Sequence, residues 1–229
     1  MRNNIRCLKN ILLSCAILWI SLFIILSGIE YYLEKQKLIS IESISYIVLD
    51  NLIKNLIIIS ILFFVLKKNN GINFFLRYNF NRNIGYLIIL LCISLGFFFS
   101  VLSGPILEFS SQYLPTFNFE NYYDSLNIIS ENLFYKVVYI FFAGFLTGIA
   151  EEFFFRGFCY TFLRKNYSMG FSLLINTIIF WVFHPIPAIL PMIFILNIAF
   201  CLSLEYTKSL VAPICIHILF NVTSILESF

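Results

Sequence analysis

The sequence predicts an all-α fold: a polytopic transmembrane helical bundle of about seven spans. Three observations carry this reading. The 229 residues are 60% hydrophobic and 12% charged, with a mean hydropathy of +0.91, whereas a water-soluble domain carries about 25% charge. Apolar runs recur along the chain, separated by short polar or Pro- and Gly-marked breaks. Phe and Tyr number 28 and 13, which suits lipid-facing helices with interfacial rings. Such a chain lacks the polar surface to clothe a core in water, so an ordinary soluble enzyme and a disordered chain are excluded. The net charge of +3 is spread over segment ends rather than gathered in one stripe, which argues against a nucleic-acid partner. Without an internal repeat or low-complexity linker, residues 1–229 read as a single integral membrane domain.

The elements follow in order. The first apolar run, Ile11 to Ile29, follows Arg2, Arg6 and Lys9. It starts like a signal peptide, but it is long and shows no small-residue cleavage site before Glu30, so a retained helix is expected. The second spans Tyr46 to Leu66, with Asp50 and Lys54 spaced i,i+4 to pair. The third covers Ile84 to Leu102 and should stop at Gly104-Pro105. The fourth covers Lys136 to Leu163 and is interrupted by Glu151, Glu152 and Arg156. The fifth covers Met169 to His184, after which Pro185, Pro187 and Pro191 break the chain. The sixth covers Ile189 to Leu204, the seventh Leu210 to Leu226.

Loop charge orients these spans. Arg2, Arg6 and Lys9, then Lys67, Lys68, Arg77 and Arg82, then Arg164 and Lys165, then Lys208 fall in alternate connections. Those connections are expected on the cytoplasmic side, with the N-terminus inside a cell membrane. The stretch Ser103 to Asn132 holds Glu108, Glu120, Asp124 and Glu131 without Lys or Arg, and is expected outside. Six cysteines (Cys7, Cys15, Cys92, Cys159, Cys201 and Cys215) sit mostly in apolar runs with no CxxC pair. Buried free thiols are therefore expected rather than a disulfide framework or thiolate zinc site.

Ionisable groups at the centre of a membrane helix cost at least about 2.5–3.5 kcal/mol each, and usually mark function. Three clusters stand out: EEFFFR from Glu151 to Arg156, FWVFH from Phe180 to His184, and HILFN from His217 to Asn221. On a helix, Glu152 and Arg156 share a face and can pair, while Glu151 lies about 100° away. One carboxylate is thus neutralised and the other left free for general-base work. His217 and Asn221 also share one stripe. The bland alternatives are snorkelling acids, an interhelical hydrogen-bond pair and an interfacial His. Counted from the basic ends at 1.5 Å per residue, however, the clusters on three helices reach comparable depths of roughly 13–22 Å. The only two His and the only double acid of the chain then meet in one buried polar site, expected to open toward the cytoplasm.

In this order, EExxxR, FxxxH and HxxxN resemble the motif set of the CPBP family, the CAAX proteases and bacteriocin-processing enzymes also called Abi. The run LEYTKSLVAPICIHILFN, Leu204 to Asn221, is similar to the family's approach to its last motif. The resemblance implies a CPBP-like catalytic core over 134–226 and an intramembrane endopeptidase acting on a membrane-associated peptide or protein. By position, it implies Glu151 as the base activating water and His184 as a holder of that water or a metal. His217 and Asn221 would stabilise the oxyanion, and Glu152 and Arg156 would form a supporting ion pair. It leaves zinc open. Glu151 or Glu152, His184 and His217 could supply three ligands, but HExxH is lacking and a metal-free carboxylate–His site would do the same chemistry. Heavy Ile, Asn, Phe and Lys usage suggests a bacterial plasma membrane and a role in bacteriocin or leader-peptide processing or self-immunity. The rival from another class is a non-catalytic immunity protein or small permease that binds through the same polar site. A permease would more often show inverted repeats and paired broken helices, which this chain lacks.

Overall fold

The structure is a computed structural model that describes residues 85–114, 131–184 and 187–229, with isolated positions 53, 55, 56, 59, 60, 63 and 129. The first apolar run, most of the second, the basic connection from Lys67 to Arg82 and much of the acidic stretch lie outside the described residues. Every regular element among the described residues is helical. We number them α1 (Tyr86–Ser111), α2 (Leu133–Asn166), α3 (Met169–Val182), α4 (Leu190–Thr207) and α5 (Val211–Glu227).

Three helices are long and apolar enough to cross a membrane: α1, α2, and α4 with its leading 3₁₀ turn, Pro187–Thr207. The apolar helices α3 and α5 are shorter, at 14 and 17 residues, or about 21 and 26 Å against a hydrocarbon core of about 30 Å. The chain is thus a multi-pass helical membrane bundle, and its described part holds five of the expected helices.

Two sequence expectations shift. Gly104-Pro105 does not end the third run. The helix continues to Ser111 with Pro105 inside it. In an apolar bundle an unwound segment has no water for its backbone, so a proline is absorbed and nearby hydroxyls bond the backbone. Ser103 Oγ does so, donating to Ser100 O at 2.7 Å. The fourth run starts earlier than Lys136, at Leu133, because the Asn132 side chain caps it by accepting from Phe134 N at 2.9 Å.

α2 is not uniform. Ile140–Leu146 and Phe153–Tyr160 are π-helical, leaving only Thr147–Glu152 as α-helix between them. Each wide stretch is followed by a threonine whose hydroxyl donates five residues back. Thr147 reaches Phe142 O at 2.9 Å and Thr161 reaches Arg156 O at 2.8 Å. Asn55, buried, adds donors to Thr147 Oγ1 at 2.9 Å and Phe142 O at 3.4 Å. These side chains supply partners where the i→i−4 ladder is interrupted.

α5 is clasped by glycines on two neighbours. A Cβ on Gly96 of α1 would stand 2.6 Å from Ile216 O, and one on Gly148 of α2 would stand 3.0 Å from Ile218 Cγ1. Only the absence of a side chain allows these approaches. α4 ends on Lys208 in the left-handed region (φ 54), its N–H reaching Leu204 O at 2.8 Å. Beside it Glu205 accepts from Arg164 Nε, Lys208 Nζ (2.8 Å) and Tyr160 OH (3.1 Å). The α2–α3 and α4–α5 connections therefore lie at the same end of the bundle, as loop charge required.

Candidate active site

The short α-helical stretch of α2 ends on the double acid, and the two residues point differently. Glu152 is fully buried and Arg156 beside it likewise, with Arg156 Nη1 donating to Glu152 Oε1 at 2.8 Å. The expected i,i+4 pair forms although Arg156 sits in a π stretch. The guanidinium is held further by Asn197 Oδ1, 3.1 Å from Nη2, and by the rings of Phe180 and Phe200, 4.4 and 4.5 Å from Cζ. The same Glu152 oxygen accepts from His217 Nδ1 at 2.7 Å. The sequence placed His217 and Asn221 on one stripe able to bond across helices without naming the partner; for His217 that partner is Glu152 of α2.

Glu151 faces both imidazoles. Its Oε1 lies 3.8 Å from His184 Nε2 and its Oε2 lies 3.7 Å from His217 Nε2. Its side chain is 12% exposed, those of His184 and His217 33% and 6%. The other ring nitrogen is tied in each case. His184 Nδ1 stands 3.0 Å from Phe180 O, and His217 Nδ1 stands against Glu152. A carbonyl or carboxylate oxygen only accepts, so each Nδ1 carries hydrogen. In the neutral rings Nε2 then presents a lone pair toward Glu151. Phe180, the first residue of FxxxH, thus acts twice: its carbonyl fixes the tautomer of His184, and its ring lies 4.8 Å from that imidazole and 6.3 Å from His217. Phe200 stacks on His217 at 4.8 Å with an 18° interplanar angle.

Of the six residues singled out from the motifs, five converge. Asn221 lies one turn along α5 from His217, partly buried, and is not part of this hydrogen-bonded cluster among the described residues. The most exposed member is His184, just beyond the α3 terminus and away from the Arg164–Lys208 end. Toward that end the site is closed by buried Arg156, Asn176 and Asn197.

Zinc is tested by the donor set. Glu151, His184 and His217 are suitable ligand types, and an imidazole tied through Nδ1 is how metal-binding His are usually held. Yet among the described residues no three His, Cys, Asp or Glu are gathered closely enough to hold an ion. Cys92, Cys159 and Cys201 are buried thiols outside any disulfide, and Cys215 is a partly buried one.

Sequence reasoning missed three uncharged side chains behind the ion pair: Asn176 and Thr177 on α3 and Asn197 on α4, all buried. The signal was present, since an amide in an apolar membrane helix needs a partner as a charge does.

Residues 133–223 match the model of the Rce1-like family, described as type II CAAX prenyl endopeptidase Rce1-like. The resemblance read from the three motifs is borne out over that segment. It is under half of the chain and contains all six motif residues. The match supports a CAAX-type intramembrane protease, a hydrolase. No curated protein and no solved structure gives a significant match.

Proposed function

We propose that the chain is an intramembrane endopeptidase in which Glu151 is the general base. The observation that carries this is the placement of one carboxylate between two Nε2 atoms, at 3.7 and 3.8 Å, beside a neutralised acid. Those separations exceed a direct hydrogen bond and suit a water molecule held among the three groups. Glu151 takes a proton from that water as its oxygen attacks the scissile carbonyl carbon. The carbonyl π pair moves onto oxygen, where the Asn221 amide, one turn along α5 from His217, donates to the oxyanion. Collapse expels the amine, which receives the proton held by Glu151. Glu152 and Arg156 stay outside the proton transfer, and Glu152 fixes the ring of His217.

The substrate would be a membrane-associated peptide or protein. A prenylated CAAX tail follows from the family; a leader peptide or bacteriocin precursor follows from the bacterial cast of the composition. Purified protein in lipid nanodiscs, offered one peptide of each kind, tests both. Glu151→Gln keeps size but cannot accept the proton, so turnover should fall about 10²–10⁴-fold. Asn221→Ala should lose about 10²–10³-fold. Full cleavage by Glu151→Gln would remove Glu151 as base. Unchanged turnover after exhaustive chelation would assign the chemistry to side chains alone, and loss restored by Zn²⁺ would assign an ion to it.

A further inference from the structure

Behind the ion pair lies a buried polar relay with no charge of its own. Asn197 Oδ1 accepts from Arg156 Nη2 at 3.1 Å and from Asn176 Nδ2 at 2.8 Å. Asn197 Nδ2 donates to Thr177 Oγ1 at 2.6 Å, and the Thr177 hydroxyl donates to Leu173 O at 2.9 Å. The amide orientation is therefore fixed at both ends. Oδ1 must face the cation, and Nδ2 must face the hydroxyl oxygen. Asn176, Asn197 and Arg156 are all fully buried, so none of these contacts can be exchanged for bulk water. The guanidinium has two hydrogen-bonded anchors among the described residues, Glu152 through Nη1 and Asn197 through Nη2, while its Nε has none.

We infer that Asn197 is a positioning residue for the imidazole of His217, acting through Arg156 and Glu152. The chain of contacts is continuous: Asn197 to Arg156, Arg156 to Glu152 Oε1, and that same oxygen to His217 Nδ1 at 2.7 Å. If Asn197 is lost, Arg156 pivots about its remaining bond, Glu152 Oε1 moves with it, and Nε2 of His217 turns away from Glu151. No group in the relay touches substrate. Its effect falls on turnover rather than on substrate binding. Three helices contribute, α3 through Asn176 and Thr177, α4 through Asn197 and α2 through Arg156, so the relay also ties the helix of His184 to that of the double acid. This rests on the proposed protease reading.

The test uses full-length protein in nanodiscs, labelled with ¹⁵N-histidine. The chain has only two His, so two imidazole signals report the site. Asn197→Leu, near-isosteric but without an acceptor, should lower kcat about 10–100-fold, the usual range for a group that orients a reacting side chain. KM should stay within about twofold of wild type, and the His217 Nδ1 signal should move while the His184 signal stays. Asn197→Asp keeps the acceptor facing Arg156 and should recover most of kcat and the His217 signal. Thr177→Val removes the nearer acceptor of Asn197 Nδ2, leaving Leu173 O at 3.4 Å, together with the hydroxyl that donates to Leu173 O, and should give a smaller loss in the same direction; it serves as the deciding variant if Asn197→Leu does not fold. Wild-type kcat and an unmoved His217 signal in a folded Asn197→Leu or Thr177→Val protein overturn the inference. So does a kcat loss that Asn197→Asp deepens rather than repairs. Absence of cleavage of either peptide by the wild-type protein in the same preparation instead overturns the protease reading, leaving the His217 signal as the measure of the relay.

Discussion

Replacing Arg156 by leucine should destabilise the bundle strongly, and replacing both members of its ion pair should do so less. Glu152 and Arg156 are fully buried and 2.8 Å apart. In Arg156→Leu the Glu152 carboxylate loses its cation in an interior that cannot solvate it, a change that typically costs about 3–5 kcal/mol. The guanidinium's contacts with the Phe180 and Phe200 rings go as well, but leucine still packs apolar atoms against both, so this adds little. Against a stability of about 5–15 kcal/mol, the loss is a large fraction. In Glu152→Leu/Arg156→Leu no uncompensated charge remains. What remains is His217 Nδ1 without its acceptor, worth about 1–3 kcal/mol, so the double variant should be the more stable of the two. Both should be inactive, because Glu152 orients His217. Unfolding by denaturing-detergent titration in mixed micelles, with peptide cleavage measured alongside, gives the ordering. A single variant within about 1 kcal/mol of wild type, or a double variant less stable than the single, would refute the reasoning.

Gly96→Ala should lower stability and cleavage together, because its Cβ would meet Ile216 O at 2.6 Å, next to His217 in sequence. Gly104→Ala on the same helix, with nothing within 4 Å, is the matched control and should behave as wild type in melting and turnover. Single cysteines placed at Tyr167 and Thr207, in a background lacking the native ones, should react with an impermeant maleimide from the same side of sealed vesicles, since Glu205 ties Arg164 to Lys208. Labelling from opposite sides would break the shared-end assignment.

The parts of the site that were legible in the sequence are those whose cost in a membrane is high. Glu151, Glu152, Arg156, His184 and His217 stand out in apolar runs because each must have a partner there, and helical spacing alone paired Glu152 with Arg156. Less legible were groups whose partner lies on another helix. Nothing in the spacing of HILFN says that His217 reaches back to Glu152 rather than forward to Asn221, because that bond depends on how α5 packs against α2. That packing is set by Gly148 on α2, with Gly96 admitting α5 to α1, and both read in sequence only as small residues. The two π stretches were equally hidden. They depend on Thr147, Thr161 and the distant Asn55, polar groups that helix propensity treats as mild irregularities. Pro105 misled for the opposite reason, since its local meaning as a helix stop is overridden where unwound backbone has no water to turn to.

The double acid itself shows how adjacent identical residues come to different chemistry. Successive residues on an α-helix are about 100° apart, so on a helix packed on several sides they cannot share an environment. Glu152 turns toward Arg156 and His217, and its Oε1 is committed to both. Glu151 turns toward the two Nε2 atoms at distances too long for direct bonds, and its side chain keeps some exposure. Both of its oxygens face imidazole edges, whereas the second oxygen of Glu152, also without a hydrogen-bond partner, is buried away from solvent. On the proposed reading the two acids should not substitute for one another: the carboxylate left by Glu151→Gln at position 152 is bound to Arg156 and His217 rather than turned toward His184.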